Sequence, residues 1–487
     1  MRYVSTRGQA PAVSASQAIL AGIAPDGGLY VPEQWPQISL DWQELANQSY
    51  QEIAELILAA FLDDFTPMEI QSVVQAAYGA QWDSSKIVNL HQTGNLHYME
   101  LFHGPTLAFK DVALQALPHL LTTAAAKQGN HDKIVILTAT SGDTGTAAMS
   151  GFGDVDQTEI LVFYPEIGVS DIQRQQMQTE PAANAHVTAI TGNFDDAQRA
   201  VKSLLGQKEL HERLAQHQLR FSSANSINIG RLIPQIVYYI YAYAQLVKQG
   251  QIEAGQMVDI AVPTGNFGNI LAAYYASQIG LPVNEFTVAS NENNVLTDFF
   301  NTGRYDRRRD FKVTSAPAMD ILVSSNLERL IYFASGQNSQ EVAEYMQALD
   351  ENGFYQLKGT TQANLSHFKA GYANEKQIKA TIHNTFQQDD YLLDPHTAVG
   401  RFVIGQHSDL KRPTLLAATA SPYKFPQAVL TALDQPDAGG QAGLVALATC
   451  TNSKIPAQIQ SLFDQPILHK QVIEPDQIQA TINQLLF

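Results

Sequence analysis

One pattern restricts the fold of this chain more than its composition does: an apolar strand runs into a polar glycine turn, and the turn opens a helix. Met257 to Pro263 (MVDIAVP) leads into Thr264-Gly265-Asn266-Phe267-Gly268-Asn269, after which Ile270, Leu271, Ala273, Tyr274 and Tyr275 begin an apolar helix. Lys133 to Thr138 (KIVILT) leads likewise into Ala139-Thr140-Ser141-Gly142-Asp143-Thr144-Gly145 and a small-residue helix from Thr146 to Met149. Further strand candidates at 159–165, 186–191, 286–290 and 414–420 alternate with helical stretches. Such alternation predicts an α/β fold with mainly parallel, helix-covered sheet. In that architecture ligands bind where strands end and helices begin.

The turn Gly265 to Asn269 suits an anion, because small residues let several backbone N–H groups converge at a helix start whose dipole adds to the attraction. It lacks the Gly-Lys-Ser/Thr ending of a P-loop and the G-x-G-x-x-G spacing of a dinucleotide fold. A phosphate fits; the plain alternative is a tight strand-to-helix turn. The second turn, Ser141 to Gly145, can cap its helix through Ser141 or Asp143 and still offer amides to a ligand.

A lysine stands in an unusual place, at the end of the run His103-Gly-Pro-Thr-Leu-Ala-Phe-Lys110-Asp111. Gly104 and Pro105 mark a loop, and Val112, Leu114, Leu117, Leu120 and Leu121 come next at helical spacing, so Lys110 falls near a helix start. An apolar setting and the positive end of a helix dipole both disfavour the ammonium form, which makes the amine a better nucleophile and base. A Schiff base to pyridoxal 5'-phosphate (PLP) is the commonest use of such tuning. The alternative is a lysine that snorkels to solvent with Asp111 as its ion partner.

At 487 residues the chain is long enough for two or three lobes. Its 30 basic against 47 acidic residues argue against nucleic acid or an anionic membrane as partner, though not against a phosphorylated small molecule. A single cysteine, Cys450, excludes an intramolecular disulfide framework and a cysteine-only metal site. No N-terminal apolar run or membrane-length stretch is seen, so a cytoplasmic protein is expected. Residues 1–95, with helical stretches at Trp42 to Phe61 and Pro67 to Tyr78, read as an N-terminal lobe. Residues 96–135 and 225–487 read as a large lobe with a helix-rich, strandless insertion at 321–385, and 136–224 as a small mobile lobe.

The blocks HGPTLAFKD, TATSGDTG, SANSINIGRLIPQ, VPTGNFGN, MDILVSSNLERL, DPHTAV and TASPYKFP, in this order, resemble those of threonine synthase, as does the opening segment with Tyr3-Val-Ser-Thr-Arg-Gly8 and Leu20 to Pro32. The resemblance covers nearly the whole chain. It implies a PLP enzyme of fold type II, the tryptophan synthase β-like fold, with two α/β lobes and an N-terminal lobe. It implies further that Lys110 bears the cofactor and moves protons, that Gly265, Asn266, Phe267, Gly268 and Asn269 cradle the cofactor phosphate, and that the hydroxyl of Thr419 meets the pyridine nitrogen. Ser141, Gly142, Asp143 and Thr144 correspond to the block beside PLP and the substrate carboxylate, and Asn225, Ser226 and Arg231 to a polar cluster in which Arg231 could grip a substrate phosphate or form a surface ion pair. Asp394 and His396 read as a helix cap and a satisfied structural histidine. Relatives often read T-A-H-P-A-K-F-P where this chain has Thr419-Ala-Ser421-Pro-Tyr-Lys-Phe-Pro426, so no titratable role is expected at Ser421.

The expected function is therefore a lyase acting on phosphates, converting O-phospho-L-homoserine and water to L-threonine and phosphate, the last step of threonine biosynthesis. A simple monomeric enzyme is expected, with no metal. A phospholyase or dehydratase-like enzyme releasing a 2-oxoacid is the alternative within the same chemistry, and a noncatalytic metabolite-binding protein the alternative outside it.

Overall fold

The computed structural model describes residues 1–407 and 410–487. Near the N-terminus β1 (Tyr3–Ser5) pairs antiparallel with β2 (Tyr30–Pro32). The strands β3 (Asn89–Thr93) and β4 (Leu96–Glu100) precede a group of four, β5 (Lys133–Ala139), β6 (Thr158–Pro165), β7 (Ala185–Ile190) and β8 (Leu219–Ser222). Then come β9 (Val258–Pro263), β10 (Val283–Ser290), the antiparallel pair β11 (Arg304–Asp306) and β12 (Phe354–Gln356), β13 (Phe368–Tyr372), β14 (Thr414–Ala418) and β15 (Val472–Ile473).

Two sheets result. The larger has the order β13-β10-β9-β14-β4-β3, parallel throughout except for β3 at its edge. The smaller has the order β15-β7-β6-β5-β8 and is wholly parallel. Because every parallel step needs a crossover, helices cover both sheets, and the inner strands β4, β5, β6, β9 and β14 are buried on both faces. This is the fold type II architecture that the motif order implies.

Six helices position the site: α1 (Tyr50–Phe61), α2 (Lys110–Leu114), α3 (Asp143–Phe152), α4 (Ile229–Lys248), α5 (Gly268–Gln278) and α6 (Pro395–His407). From Ile229 to Leu246 every residue of α4 is buried, and apart from Arg231, Gln235 and Gln245 its faces are largely apolar, as suits a helix that packs on several partners at once. It lies against α1 of the N-terminal segment and against both α2 and α5. No helix among the described residues is long and apolar enough to cross a membrane.

Several expectations need correction. The stretch Trp42 to Phe61 is two helices, Trp42–Leu45 and α1, because Ser49 and Glu52 form a capping box that starts a new helix. The segment 321–385 is not strandless, since β13 adds to β10 as the outer parallel strand. Its residues Phe368-Lys-Ala-Gly-Tyr372 have no continuous apolar run because an edge strand has one open side. The lobe boundaries shift as well. β3 belongs to the larger sheet although it precedes residue 95, β5 begins the smaller sheet at Lys133, and β15 returns the chain to that sheet near its end. The helix Ile478–Leu486 packs there too, against the helix Phe194–Leu205.

Candidate active site

The motifs gather because each follows the carboxyl end of a parallel strand. β4 leads to the Lys110 loop, β9 to the glycine turn and β14 to Thr419 in the larger sheet, while β5 leads to Ser141–Gly145 in the smaller. The chain after β14 is sewn to the Lys110 loop by backbone bonds: Phe109 N–H to Thr419 O at 2.8 Å and Ser421 N–H to Leu107 O at 3.0 Å, around an isolated bridge between Ala108 and Ala420. Thr419 is thereby fixed beside Lys110.

Lys110 is the first residue of α2, which has no side-chain cap, and 14% of its side chain is exposed. Asp111 is not its ion partner. That carboxylate is buried and turns back to accept from Thr106 N–H at 2.9 Å and Thr106 Oγ1 at 2.6 Å, with burial pushing its pKa up to about 6. The nearest carboxylate to Lys110 is Asp143, whose Oδ2 lies 3.8 Å from Nζ. Burial lowers the Lys110 pKa to about 8; Asp143 opposes this, while Arg231 and Lys424 reinforce it. A lysine so placed has a substantial neutral fraction at mild alkaline pH, as a nucleophile requires.

At Ser141–Gly145 the cap is Gly142, and neither Ser141 nor Asp143 serves as one. Thr140 Oγ1 gathers the turn instead, accepting from Gly142 N–H at 3.0 Å and Gly145 N–H at 2.9 Å. Gly142 has φ +136°, and an added Cβ would stand 2.4 Å from the Gln173 side chain. Asp143 points inward to Lys424 Nζ at 3.0 Å and accepts from Gln173 Nε2 at 2.8 Å. Burial by itself would raise this carboxyl, but the ammonium groups of Lys424 and Lys110 outweigh it and hold it well below the usual carboxylate range.

The glycine turn has the features of an anion cradle. Phe267 is left-handed, φ +66°, a conformation rare outside glycine and found where a turn is tightly determined. The carbonyls are tied from behind: Gly265 O accepts from Ser324 Oγ at 2.7 Å, and Asn266 O accepts from Asn326 Nδ2 at 3.0 Å. Among the described residues, no hydrogen bond takes up the N–H groups of Gly265, Asn266, Phe267, Gly268 or Asn269. Two buried side-chain donors are also unpaired, Asn269 Nδ2 and Arg231 Nε. Free amides with orphaned donors fit a phosphate, and the buried amine of Lys110 fits an aldehyde cofactor.

Arg231, on α4, is 4% exposed and makes no surface ion pair; its Nη1 donates to Ala224 O at 2.8 Å, and burial lowers its pKa to about 10. Ser226 reaches the turn through Asn326, which donates to its carbonyl at 3.2 Å. Asn225 is exposed, and no hydrogen bond of its side chain joins it to this cluster. Ser421 Oγ accepts from Tyr423 N–H at 3.3 Å and so turns back over the following turn, whereas the Thr419 hydroxyl takes part in no hydrogen bond among the described residues. Asp394 accepts from the N–H groups of His396 and Thr397 and from His396 Nδ1 at 2.7 Å. His396 Nε2 accepts from Ala318 N–H at 3.2 Å, so the ring is a satisfied structural tautomer and Asp394 is a cap.

Sequence reasoning missed three residues. Lys424 is wholly buried beside Asp143. Arg329, also wholly buried, donates to Tyr30 O, Ile227 O and Asn326 Oδ1, and so ties the N-terminal segment to the residue that holds the glycine turn. Asn326 is that residue. The block MDILVSSNLERL singled the last two out without indicating a partner.

Fold and site together define a PLP-dependent enzyme of fold type II. Residues 2–78 match the family description Threonine synthase N terminus, 85–401 Pyridoxal-phosphate dependent enzyme, and 397–482 Threonine synthase, C-terminal. The chain belongs to the threonine synthase family. It is 40% identical over 437 residues to the threonine synthase of Pseudomonas aeruginosa, covering 88% of this chain and 90% of that one. To human threonine synthase-like 1 it is 38% identical over 431 residues, 86% of this chain, and it spans only 58% of that relative's length. The crystal structure of PLP-bound threonine synthase from Brucella melitensis superposes with TM-score 0.89 at 35% identity, covering 100% of this chain and 98% of that chain.

Proposed function

We propose that this chain converts O-phospho-L-homoserine and water to L-threonine and phosphate. The observation that carries the reading is the Lys110 amine, lowered to about 8 and facing Asp143, set between two amide-lined turns that suit a phosphate and a carboxylate. PLP, when bound, supplies the electron sink that stabilises negative charge at the substrate Cα and then Cβ. Lys110 would anchor the cofactor and take one proton from Cα and one from Cβ; after the Cγ–O bond breaks it would deliver one to Cγ, and after water adds its hydroxyl at Cβ it would return the other to Cα, the second proton of the water leaving with the phosphate. The amides of Gly265 to Asn269 hold the cofactor phosphate, and the Thr419 hydroxyl faces the ring nitrogen. The amides of Ser141, Asp143 and Thr144 receive the substrate carboxylate, that of Gly142 being taken by Thr140 Oγ1, and Arg231 with Ser226 and Asn225 receives its phosphate; Asn225 would have to turn inward to do so. Burial around Lys110 keeps bulk water from the reacting carbons.

A product assay with PLP and O-phosphohomoserine tests this directly. Threonine and phosphate should appear in equal amounts, and Lys110→Ala should lose them by several orders of magnitude together with the borohydride-trapped adduct. The likeness to threonine synthase-like 1 leaves a divergent member of the family as the second reading, and elimination without hydration is the outcome that would mark one. It predicts 2-oxobutyrate and ammonia in place of threonine. The enzyme is taken to act as a monomer, which light scattering checks.

A further inference from the structure

Lys424 lies just beyond β14 and has no part in the proposed reaction. Its side chain is wholly buried, a position in which an ammonium is costly unless fully paired. All three donors of Nζ are engaged: Asp143 Oδ1 at 3.0 Å, Thr106 O at 2.7 Å and Thr146 Oγ1 at 3.4 Å. With no donor left, this amine is not arranged to receive a ligand anion. What it holds is Asp143, whose other oxygen stands 3.8 Å from Lys110 Nζ. The carboxylate starts α3 on the smaller sheet, while the two lysines come after β14 and β4 of the larger.

We propose that Lys424 is a positioning residue that takes the closer bond to Asp143, 3.0 Å against 3.8 Å, and so holds the carboxylate across the junction of the two sheets short of a direct hydrogen bond with the Lys110 amine. The proposal rests on the reading of Lys110 as the cofactor-bearing lysine. The titratable groups facing Lys110 are Asp143, Arg231, Lys424 and Asp111; those facing Asp143 are Lys424, Lys110 and the neutral ring of His396. Replacing Lys424 by a neutral side chain has two consequences of the same sign. A cation that repels the Lys110 ammonium is lost, and Asp143 is left with Lys110 as its remaining lysine partner. Both favour the protonated amine. Removing the carboxylate has the opposite sign, because Lys110 then loses its nearest anion while Arg231 and Lys424 still repel its ammonium.

The test uses the PLP-loaded full chain, titrating the near-visible absorbance of the Lys110-bound cofactor from neutral to strongly alkaline pH. A second readout is the pH dependence with which stripped protein retakes PLP, which requires the neutral amine. Lys424→Met should raise both midpoints by about one pH unit or more, and Asp143→Asn should lower them. Should Lys424→Met fail to fold, Lys424→Gln keeps an amide donor toward Thr106 O and removes the charge. Unchanged midpoints, or shifts of the same sign in the Lys424 and Asp143 variants, overturn the proposal. A borohydride-trapped adduct that persists in Lys110→Ala would instead overturn the assignment of Lys110, so the two failures are distinguishable.

Discussion

Replacing Arg231 by methionine should make the empty protein no less stable while making it a poorer binder of phosphate. The guanidinium is held at about 10 instead of its ordinary 12.5 by burial, which corresponds to about 3 kcal/mol of penalty on the charged form. Because the folded-state pKa is depressed for a cation, this penalty is fully present below pH 10 and fades only toward 12.5. It is therefore constant through the neutral range. Against it stands the Nη1 bond to Ala224 O at 2.8 Å, worth about 1 to 2 kcal/mol for a charged donor, while Nε has no acceptor. Methionine fills a similar volume, so the ligand-free melting temperature should be unchanged or higher by a few degrees. A charge-assisted bond from Arg231 to a phosphate contributes about 1.5 to 3 kcal/mol, so affinity should fall by roughly tenfold to a hundredfold. Thermal shift with inorganic phosphate and the KM for O-phosphohomoserine measure the two effects separately. A variant that loses several degrees without ligand yet keeps its phosphate affinity and KM would refute the reasoning and make Arg231 a structural residue.

Three further outcomes are expected. An added Cβ at Gly268 meets nothing nearer than Asn326 Nδ2 at 3.6 Å, whereas at Gly265 it stands 2.9 Å from Ala318 O. Gly268→Val should thus fold but retain PLP poorly, and Gly265→Val should cost about 1 to 3 kcal/mol in stability as well; equal PLP retention in Gly268→Val and wild type on gel filtration counts against a phosphate role. Thr419→Val should weaken PLP binding by about 1 to 3 kcal/mol and Ser421→Ala by less, since Ser421 Oγ is turned back as the cap of the turn Pro422–Lys424; cofactor titration showing the reverse order moves the ring-nitrogen contact to Ser421. In His103, burial lowers the pKa but hydrogen bonds to Asp83 and Glu100 outweigh it and raise it to about 9, so its stabilisation is full below pH 6.5 and lost as pH rises through 9. The melting-temperature gap between wild type and His103→Gln should close over that interval, and a gap independent of pH would show that the imidazolium contributes nothing.

The sequence revealed those parts of the fold whose signal is local. β5, β6, β7, β9, β10 and β14 are continuous apolar runs because both faces of each strand are covered, and all were readable. β13, an edge strand with exposed Lys369 and Tyr372 breaking its apolar run, was not. The glycine turn was legible through Gly265 and Gly268, and Lys110 through the apolar residues around it. Lys424 was passed over because its partners are Thr106, 318 positions away, and Thr146, 278 positions away, and nothing near it in sequence announces either. The same holds for Arg329, which meets Tyr30 O across 299 positions. The cap at Gly142 was misassigned because Asp143, a good capping residue by type, finds stronger partners in two lysines.

The late arrival of β15 bears on how the protein is made. Its backbone meets β7 through Ala189 N–H to Gln471 O and Thr191 N–H to Ile473 O, and Thr191 and Glu474, which also join, lie 283 positions apart. A ribosome adding about 5 to 20 residues per second therefore delivers β7 tens of seconds before the strand that covers it. During that interval Ala185–Ile190 presents an unpaired, largely apolar edge, the kind of template on which nascent chains aggregate or are captured by chaperones. A chain that lost β15 would keep the turns after β5 and β9 and still expose that edge, so the fate of such a chain is decided at β7 and not at Lys110.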